Sequence, residues 1–256
     1  MIVENRSSNV VPEETVAKAA PDGYTLLVAG NSHWITPLLQ KVSFDAVKDF
    51  SPISLTVKAP NVVVTNPSVA AKTISELIAL AKAKPGELNY ATSGTGFTNH
   101  LAGELFIAKT GIKIVRVNYK SPAAALTDLI SAQVQLMFGS TPATAPHIKS
   151  GRLRALAVTS SQPSALAPGL PTVAASGVPG YTVETLNGIY GPAGLPGMLV
   201  NRLNGEILRV LSAPDIKEKL FNGGLEIVAS SPEAFAATIK AEIATWAKVI
   251  KDTGIR

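Results

Sequence analysis

At 256 residues, with 46% hydrophobic, 16% charged and 5% aromatic residues, the chain can bury the core of one large or two modest domains and is not a disordered segment. Its formal charge of +5 is spread without a run of lysines or arginines; this excludes a basic stripe for nucleic acid and leaves a mild field that favours small anions. The absence of cysteine excludes disulfides, thiolate nucleophiles and cysteine-ligated zinc, and no apolar run reaches the ~18 residues needed to cross a bilayer.

In chain order, residues 2–5 read as a short strand and 12–20 as a helix with Pro12 in its first turn. Pro21-Asp22-Gly23 turns the chain into a strand over 24–29, so apolar that it reads as a parallel strand covered on both faces. Two further strands are predicted over 50–57 and 61–65, separated by Lys58-Ala59-Pro60. Thr73 with Glu76 has the spacing of a capping box for a helix that Pro85-Gly86 ends. A short β-type segment, Leu88 to Ala91, then leads through Thr92 to Gly96 into a helix carrying Leu101, Leu105 and Phe106 and ending at Gly111.

A strand over 112–117 follows, then a helix with Ser121 as N-cap and Pro122 at its first position. Further on come strands over 134–138 and 153–159 around a short helix ending at Lys149, and a Pro-, Ser- and Gly-rich connection over 160–180 with a helical turn near 173–176. Residues 181–190 read as extended and 191–197 as a turn-rich hinge. Helices over 198–211, 214–222 and 232–251, with a short strand over 225–228, complete the chain. In the last helix Phe235, Ile239, Ile243, Trp246 and Ile250 form one apolar stripe.

Alternating strands and helices predict an α/β fold with mostly parallel sheets, whose ligands sit at the carboxyl ends of the strands. Four such ends carry Ser, Thr, Asn or Gly just before a helix: Asn31-Ser32, Ser93 to Gly96, Tyr119 to Ser121, and Gly139 to Thr141. Small residues there leave the first N–H groups of a helix open, and those groups with the helix dipole attract an anion. The plain alternative is that Ser93 or Thr95 is an N-cap and Gly94 and Gly96 make a tight turn. The run is not a nucleotide fingerprint, since it lacks the third glycine.

Catalytic machinery is sparse. His33, His100 and His147 form no metal-type pair, and there is no nucleophile elbow or phosphate-loop motif. Asp22, Asp45, Asp49, Glu104 and Asp128 read as turn or helix-surface acids, and Trp34 reads as packing, with a ligand cover as the alternative. A small α/β enzyme with His33 or His100 as general base is the rival to a binding protein.

Several stretches together carry a family resemblance: Val3-Glu4-Asn5-Arg6, Ala17 to Leu27, Val47-Lys48-Asp49-Phe50, Leu88-Asn89-Tyr90-Ala91 with Ser93-Gly94, His100 to Phe106, Tyr119-Lys120, Ala124 to Leu129, Pro146 to Lys149, Leu153 to Thr159, Pro171-Thr172-Val173 and Gly191 to Gly194. The chain resembles the Bug family, the periplasmic solute receptors of tripartite tricarboxylate transporters. That resemblance implies a two-lobe, type II periplasmic binding protein, with lobe 1 over 1–58 and 186–256, lobe 2 over 59–185, and hinges near 58–61 and 185–191. It implies capture of a small carboxylate, a class that spans dicarboxylates, tricarboxylates, aromatic acids and amino acids, and its delivery to membrane transporter subunits; a sensor docking on a membrane kinase is an alternative. The sequence shows no extra apolar helix face, so a monomer is expected, and neither cofactor nor metal is expected. The implied ligand residues are Asn31, Ser32 and His33 in lobe 1, and Ser93, Gly94, Thr95, Gly96, Thr98, Tyr119, Gly139, Ser140 and Thr141 in lobe 2.

Three departures from the family pattern bear on these expectations. Ser7-Ser8-Asn9-Val10-Val11 stands where a Pro-Gly-Ala-Gly-Gly type run is usual, so this loop is not counted among the ligand contacts. Gly139 stands where an Asp is common, and that replacement points to a ligand without a required amino group. The family also carries an export signal, a first strand and a first helix ahead of the segment matching residues 2–6; the expectation is a lobe 1 lacking that strand and helix, with Met1 an internal or misassigned start.

Overall fold

The computed structural model describes residues 2–5, 10–94 and 96–255. The expectations for Arg6 to Asn9 and for Thr95 lie outside the described residues.

Two long antiparallel strands, β2 (Phe50–Thr65) and β7 (Glu184–Pro192), form the spine. Over its first half β2 pairs with β7, from Phe50 opposite Pro192 to Pro60 opposite Glu184. Beyond Pro60 it exchanges β7 for β5 (Leu136–Ser140) and β6 (Arg154–Val158), beginning with Asn61 opposite Ser140. Proline has no N–H to give a ladder, so Pro60 is a natural place for a strand to change neighbours. The expected break at Lys58-Ala59-Pro60 is therefore corrected: one 16-residue strand runs through it. Lys58 is held there by register with Leu186 and by a 3.0 Å bond from its ammonium to Glu184. The Val62-Val63-Val64 run, fully buried, fixes the second half in the interior.

Around this spine stand two groups of elements. One comprises β1 (Leu27–Gly30) on β7, β8 (Glu226–Ile227) on β2, and the helices α1 (Val11–Ala17), α2 (Ser32–Leu39), α7 (Gly197–Ser212), α8 (Pro214–Asn222) and α9 (Pro232–Thr253). The other comprises β5 and β6 with β3 (Asn89–Thr92) and β4 (Val115–Asn118), and α3 (Ile74–Ala83), α4 (Thr98–Thr110), α5 (Pro122–Ile130) and α6 (Thr141–Lys149). The α/β architecture is as expected, but the sheet is mixed. The β3–β4 and β3–β5 pairs are parallel, while every described pair of β2 and β7 is antiparallel, because those strands run between the two groups.

Most predicted elements are present. Glu76 N donates to Thr73 Oγ1 at 3.1 Å, and Lys72 N donates back to the Glu76 carboxylate. Ser121 caps α5, and the α9 stripe packs on the main core through Phe235, Ile239 and Trp246. Three expectations are corrected. Residues 2–5 form no strand: Ile2 and Val3 are 88% and 72% exposed, so the stretch buries no apolar face. The strand read over 24–29 begins at Leu27, pairs antiparallel with β7 and leaves Val28 71% exposed, so it is covered on one face only. Gly191 and Pro192 belong to β7 rather than to a turn.

Candidate functional site

In the second group β5, β3 and β4 lie side by side in parallel, with Ala91 opposite Met137 and Thr92 opposite Asn118. Their carboxyl ends therefore stop at one level, which brings Ser93-Gly94, Tyr119 and Gly139-Ser140 to the same rim; Tyr119 N donates to Thr92 O at 2.8 Å. That rim lies where β2 passes from one group to the other, at Asn61 opposite Ser140. The end of β1 lies in the other group, where Gly30 is opposite Asn187 and Asn187 opposite Val57, four positions before Asn61 on β2. Three of the four strand ends singled out in the sequence thus share one rim, and the fourth lies further back along the spine.

Of the helices that follow the four strand ends, α5 is capped by Ser121, while α2, α4 and α6, with N-caps Asn31, Phe97 and Ser140, have no side-chain cap. Side-chain caps are absent from α1, α7 and α8 as well, and Thr73 and Ser231 cap α3 and α9. Ser93 is not the N-cap of α4; that position falls to Phe97. Ser93 instead accepts a 2.9 Å bond from Asn99 Nδ2 and stays half-buried at the rim, with Gly94 and Thr98. Gly94 and Gly96 have φ of +128° and +85°, conformations that residues with a Cβ rarely adopt, so the loop needs its glycines. A Cβ on Gly96 would lie 3.6 Å from Leu39 and 3.9 Å from Thr36, placing this loop against α2 of the other group.

Behind the loop runs a polar chain that the sequence did not reveal. The Arg116 guanidinium donates to Nε2 of the fully buried His100 ring, and Gly96 N lies 3.3 Å from its Nδ1. Arg116 reaches Glu104 at 3.5 Å, and Tyr90 donates to the same carboxylate at 2.5 Å. Burial, with the Arg116 charge added, pushes the His100 imidazole down to about 4, so the ring is neutral at physiological pH. Arg116 stands in a predicted strand with no sign of a partner, because its partners lie on α4.

Several predicted site residues are engaged in holding the frame. Asn31 is buried; its Oδ1 accepts from Leu186 N of the spine at 2.6 Å and its Nδ2 donates to Glu242 at 3.4 Å. His33 is fully buried among Phe44, Phe50 and Tyr190, with ring centroids 5.7, 4.5 and 4.6 Å away, and the Ala46 backbone is the polar group beside its ring. Burial pushes its imidazole down to about 4. Trp34 packs on Phe235 in the same interior.

On the other side of the cleft, Thr141 Oγ1 donates to the Pro60 carbonyl at 2.8 Å, and the Tyr119 hydroxyl donates to Asp128 at 2.8 Å. Gly139 is required by close packing, since a Cβ there would lie 2.5 Å from Thr144 Cγ2. Ser32 is half-buried and Ser140 exposed, both at open helix starts. Among the described residues no group of three or more His, Asp or Glu could hold a metal, and no helix is long and apolar enough to cross a membrane.

Residues 1–255 match the family described as tripartite tricarboxylate transporter family receptor. Protein BugT of Bordetella pertussis is 33% identical over 100% of this chain and 80% of its own length. A solved R. palustris protein with adipate is 34% identical, with a TM-score of 0.88 over 99% of this chain and 86% of that one. MatC from Rhodopseudomonas palustris with bound malate is 26% identical, with a TM-score of 0.81 over 94% and 84% of the two chains.

Proposed function

Because the chain belongs to the tripartite tricarboxylate transporter receptor family, we propose that it captures a small dicarboxylate in the cleft at the rim that three of its strand ends share and hands it to membrane transporter subunits from the periplasm. The observation that carries this reading is that three of the four helices following the polar strand ends, α2, α4 and α6, start without a side-chain cap. Open N–H groups and the positive ends of helix dipoles are what a carboxylate needs. Relatives solved with adipate and with malate support that ligand class.

On this reading Ser93, Gly94, Thr98 and Ser140 contact the ligand from lobe 2, and Ser32 with the first turn of α2 from lobe 1. Asn31, Gly139 and Thr141 hold the frame, and Tyr119 contributes through its backbone. Lobe 1 comprises 1–58 and 186–256 and lobe 2 comprises 59–185, with hinges at 58–61 and 185–191, where β2 changes partners. Closure traps the ligand by preferential binding to the closed state. The protein acts as a monomer and performs no chemistry: His33 is sealed in the interior and the lone pair of His100 is taken by Arg116, so neither imidazole is presented to a substrate as a base.

Calorimetry and thermal shift against a panel of carboxylic acids, led by adipate and malate, test the reading. A ligand at about a hundred times its Kd should stabilise the fold by ~2.7 kcal/mol. A folded chain that responds to none of the panel, or that turns a member over, contradicts it.

A further inference from the structure

Where the two crossing strands enter the second group, one buried side chain pins both. Thr159, just past β6, accepts the Asn61 N–H on its hydroxyl oxygen at 2.9 Å and donates the hydroxyl proton to the Val183 carbonyl at 2.6 Å. The backbone doubles the tie, with Thr159 N donating to Asn61 O and Val183 N to Thr159 O, both at 2.9 Å. From Asn61 onward, and up to Val183, the crossing chains therefore move with lobe 2. Lys58, three residues earlier, is opposite both Leu186 and Glu226 of β8, which stand in lobe 1. Bending is left to the few residues between, 59–60 on β2 and 184–185 on β7.

Across this short pivot the lobes touch through side chains. Ser164 lies in the connection after Thr159, which is held to β6 by Val158 N on the Pro171 carbonyl and Val173 N on the Val158 carbonyl, 2.9 Å each. Its buried hydroxyl accepts Leu166 N at 3.1 Å and donates to Glu226 Oε1. The other Glu226 oxygen faces the Lys58 ammonium at 4.0 Å, and Glu184 holds that ammonium at 3.0 Å. Two residues before Glu226, Gly224 abuts the first turn of α6: a Cβ there would lie 2.5 Å from Pro142 Cδ. Pro142 follows closely on Ser140 at the rim, so this contact is on the cleft side of the pivot, and opening the cleft draws it apart.

We propose that Ser164 and Glu226 form a latch between the lobes, a closing contact outside the ligand site that sets how long the ligand is held. The inference rests on the reading of the chain as a two-lobe receptor. A hydroxyl that donates to a carboxylate makes a charge-assisted bond, stronger than a neutral one, and Lys58 balances the charge brought into the contact. A ligand that binds the closed form has an apparent affinity in proportion to the closed fraction. Losing the latch weakens binding without removing a ligand contact, and does so through faster release. Both are thus positioning residues.

The test compares the wild type with Ser164→Ala, Glu226→Ala, their double variant, and Glu226→Gln, whose amide oxygen still accepts the Ser164 hydroxyl. Spin labels on Lys84→Cys in lobe 2 and Arg209→Cys in lobe 1, both exposed, report the separation of the lobes. Without ligand, both alanine variants should shift the label distance to larger values, and Glu226→Gln should stay near the wild type. Adipate should bind each alanine variant about threefold or more weakly, with the loss in the release rate. The double variant should bind no more weakly than Glu226→Ala, since one contact is lost only once. Unchanged label distances, Glu226→Gln as open as Glu226→Ala, or alanine effects that multiply overturn the proposal. Should Glu226→Ala fail to fold, Ser164→Ala and Glu226→Gln decide it. A chain that binds no carboxylate while the alanine variants still open it would remove the receptor reading and leave the latch standing.

Discussion

The β1–α2 and β3–α4 junctions are written in the same residue types and meet opposite fates. At the first, Asn31 and His33 turn inward, one to bond the spine at Leu186 and the other into an aromatic cage. At the second, Ser93 and Gly94 stay at the rim, while the inward work passes to residues further along the helix, Asn99 and His100. The difference follows from neighbours. β1 lies directly against β7, so its end abuts backbone that must be satisfied; a Cβ on Gly30 would lie 2.9 Å from Asn187 Oδ1. β3 lies between β4 and β5, which end at the same level, so its end abuts no longer strand and its loop meets the side chains of α2 instead.

If this contrast holds, the two junctions respond to mutation in opposite ways. The largest effect falls on His33→Ala, which empties a fully buried aromatic cage and should cost about 3 kcal/mol in urea unfolding, while carboxylate affinity of the folded protein stays within twofold. A large loss of affinity with intact stability would return His33 to the ligand site.

Next comes Glu13 in the same half, buried on α1 with Oε2 unpartnered among the described residues and acting electrostatically on the Tyr190 hydroxyl. Burial raises its carboxyl from 4.5 to about 7. A raised folded value means that the stability it contributes is complete below about pH 4.5 and is lost as pH rises through about 7. Glu13→Gln should therefore gain on the wild type by ~2 kcal/mol between pH 4.5 and 8.5. A pH-independent difference would show that the carboxyl is solvated.

Asn31→Ala should cost about 1–2 kcal/mol by stranding Leu186 N and one side of Glu242. Ser93→Ala and Ser140→Ala should leave stability within about 0.5 kcal/mol and weaken carboxylate binding by about 1–2 kcal/mol each. Destabilisation without loss of affinity in the serine variants would erase the contrast.

What the sequence disclosed and what it withheld divide along the range of the interactions. Caps at Thr73 and Ser121 and the stripe from Phe235 to Trp246 depend on residues a few positions apart and were legible. The continuity of β2 through Pro60 was not, since it depends on partners at Glu184 and Ser140. The same holds for Arg116, whose partners are on α4, and for Gly139, whose lack of a side chain answers to the Thr144 methyl. Residue type marked the strand ends at the cleft; which side chains face the cleft was decided by the strands beside them.

The most direct test is a crystal structure of the chain with the tightest-binding dicarboxylate from the panel. The account predicts one carboxylate within hydrogen-bond reach of Ser93 and the first N–H groups of α4, with Asn31 and His33 making no contact. A ligand bound against the His33 imidazole, or outside the cleft at Asn61, would contradict it.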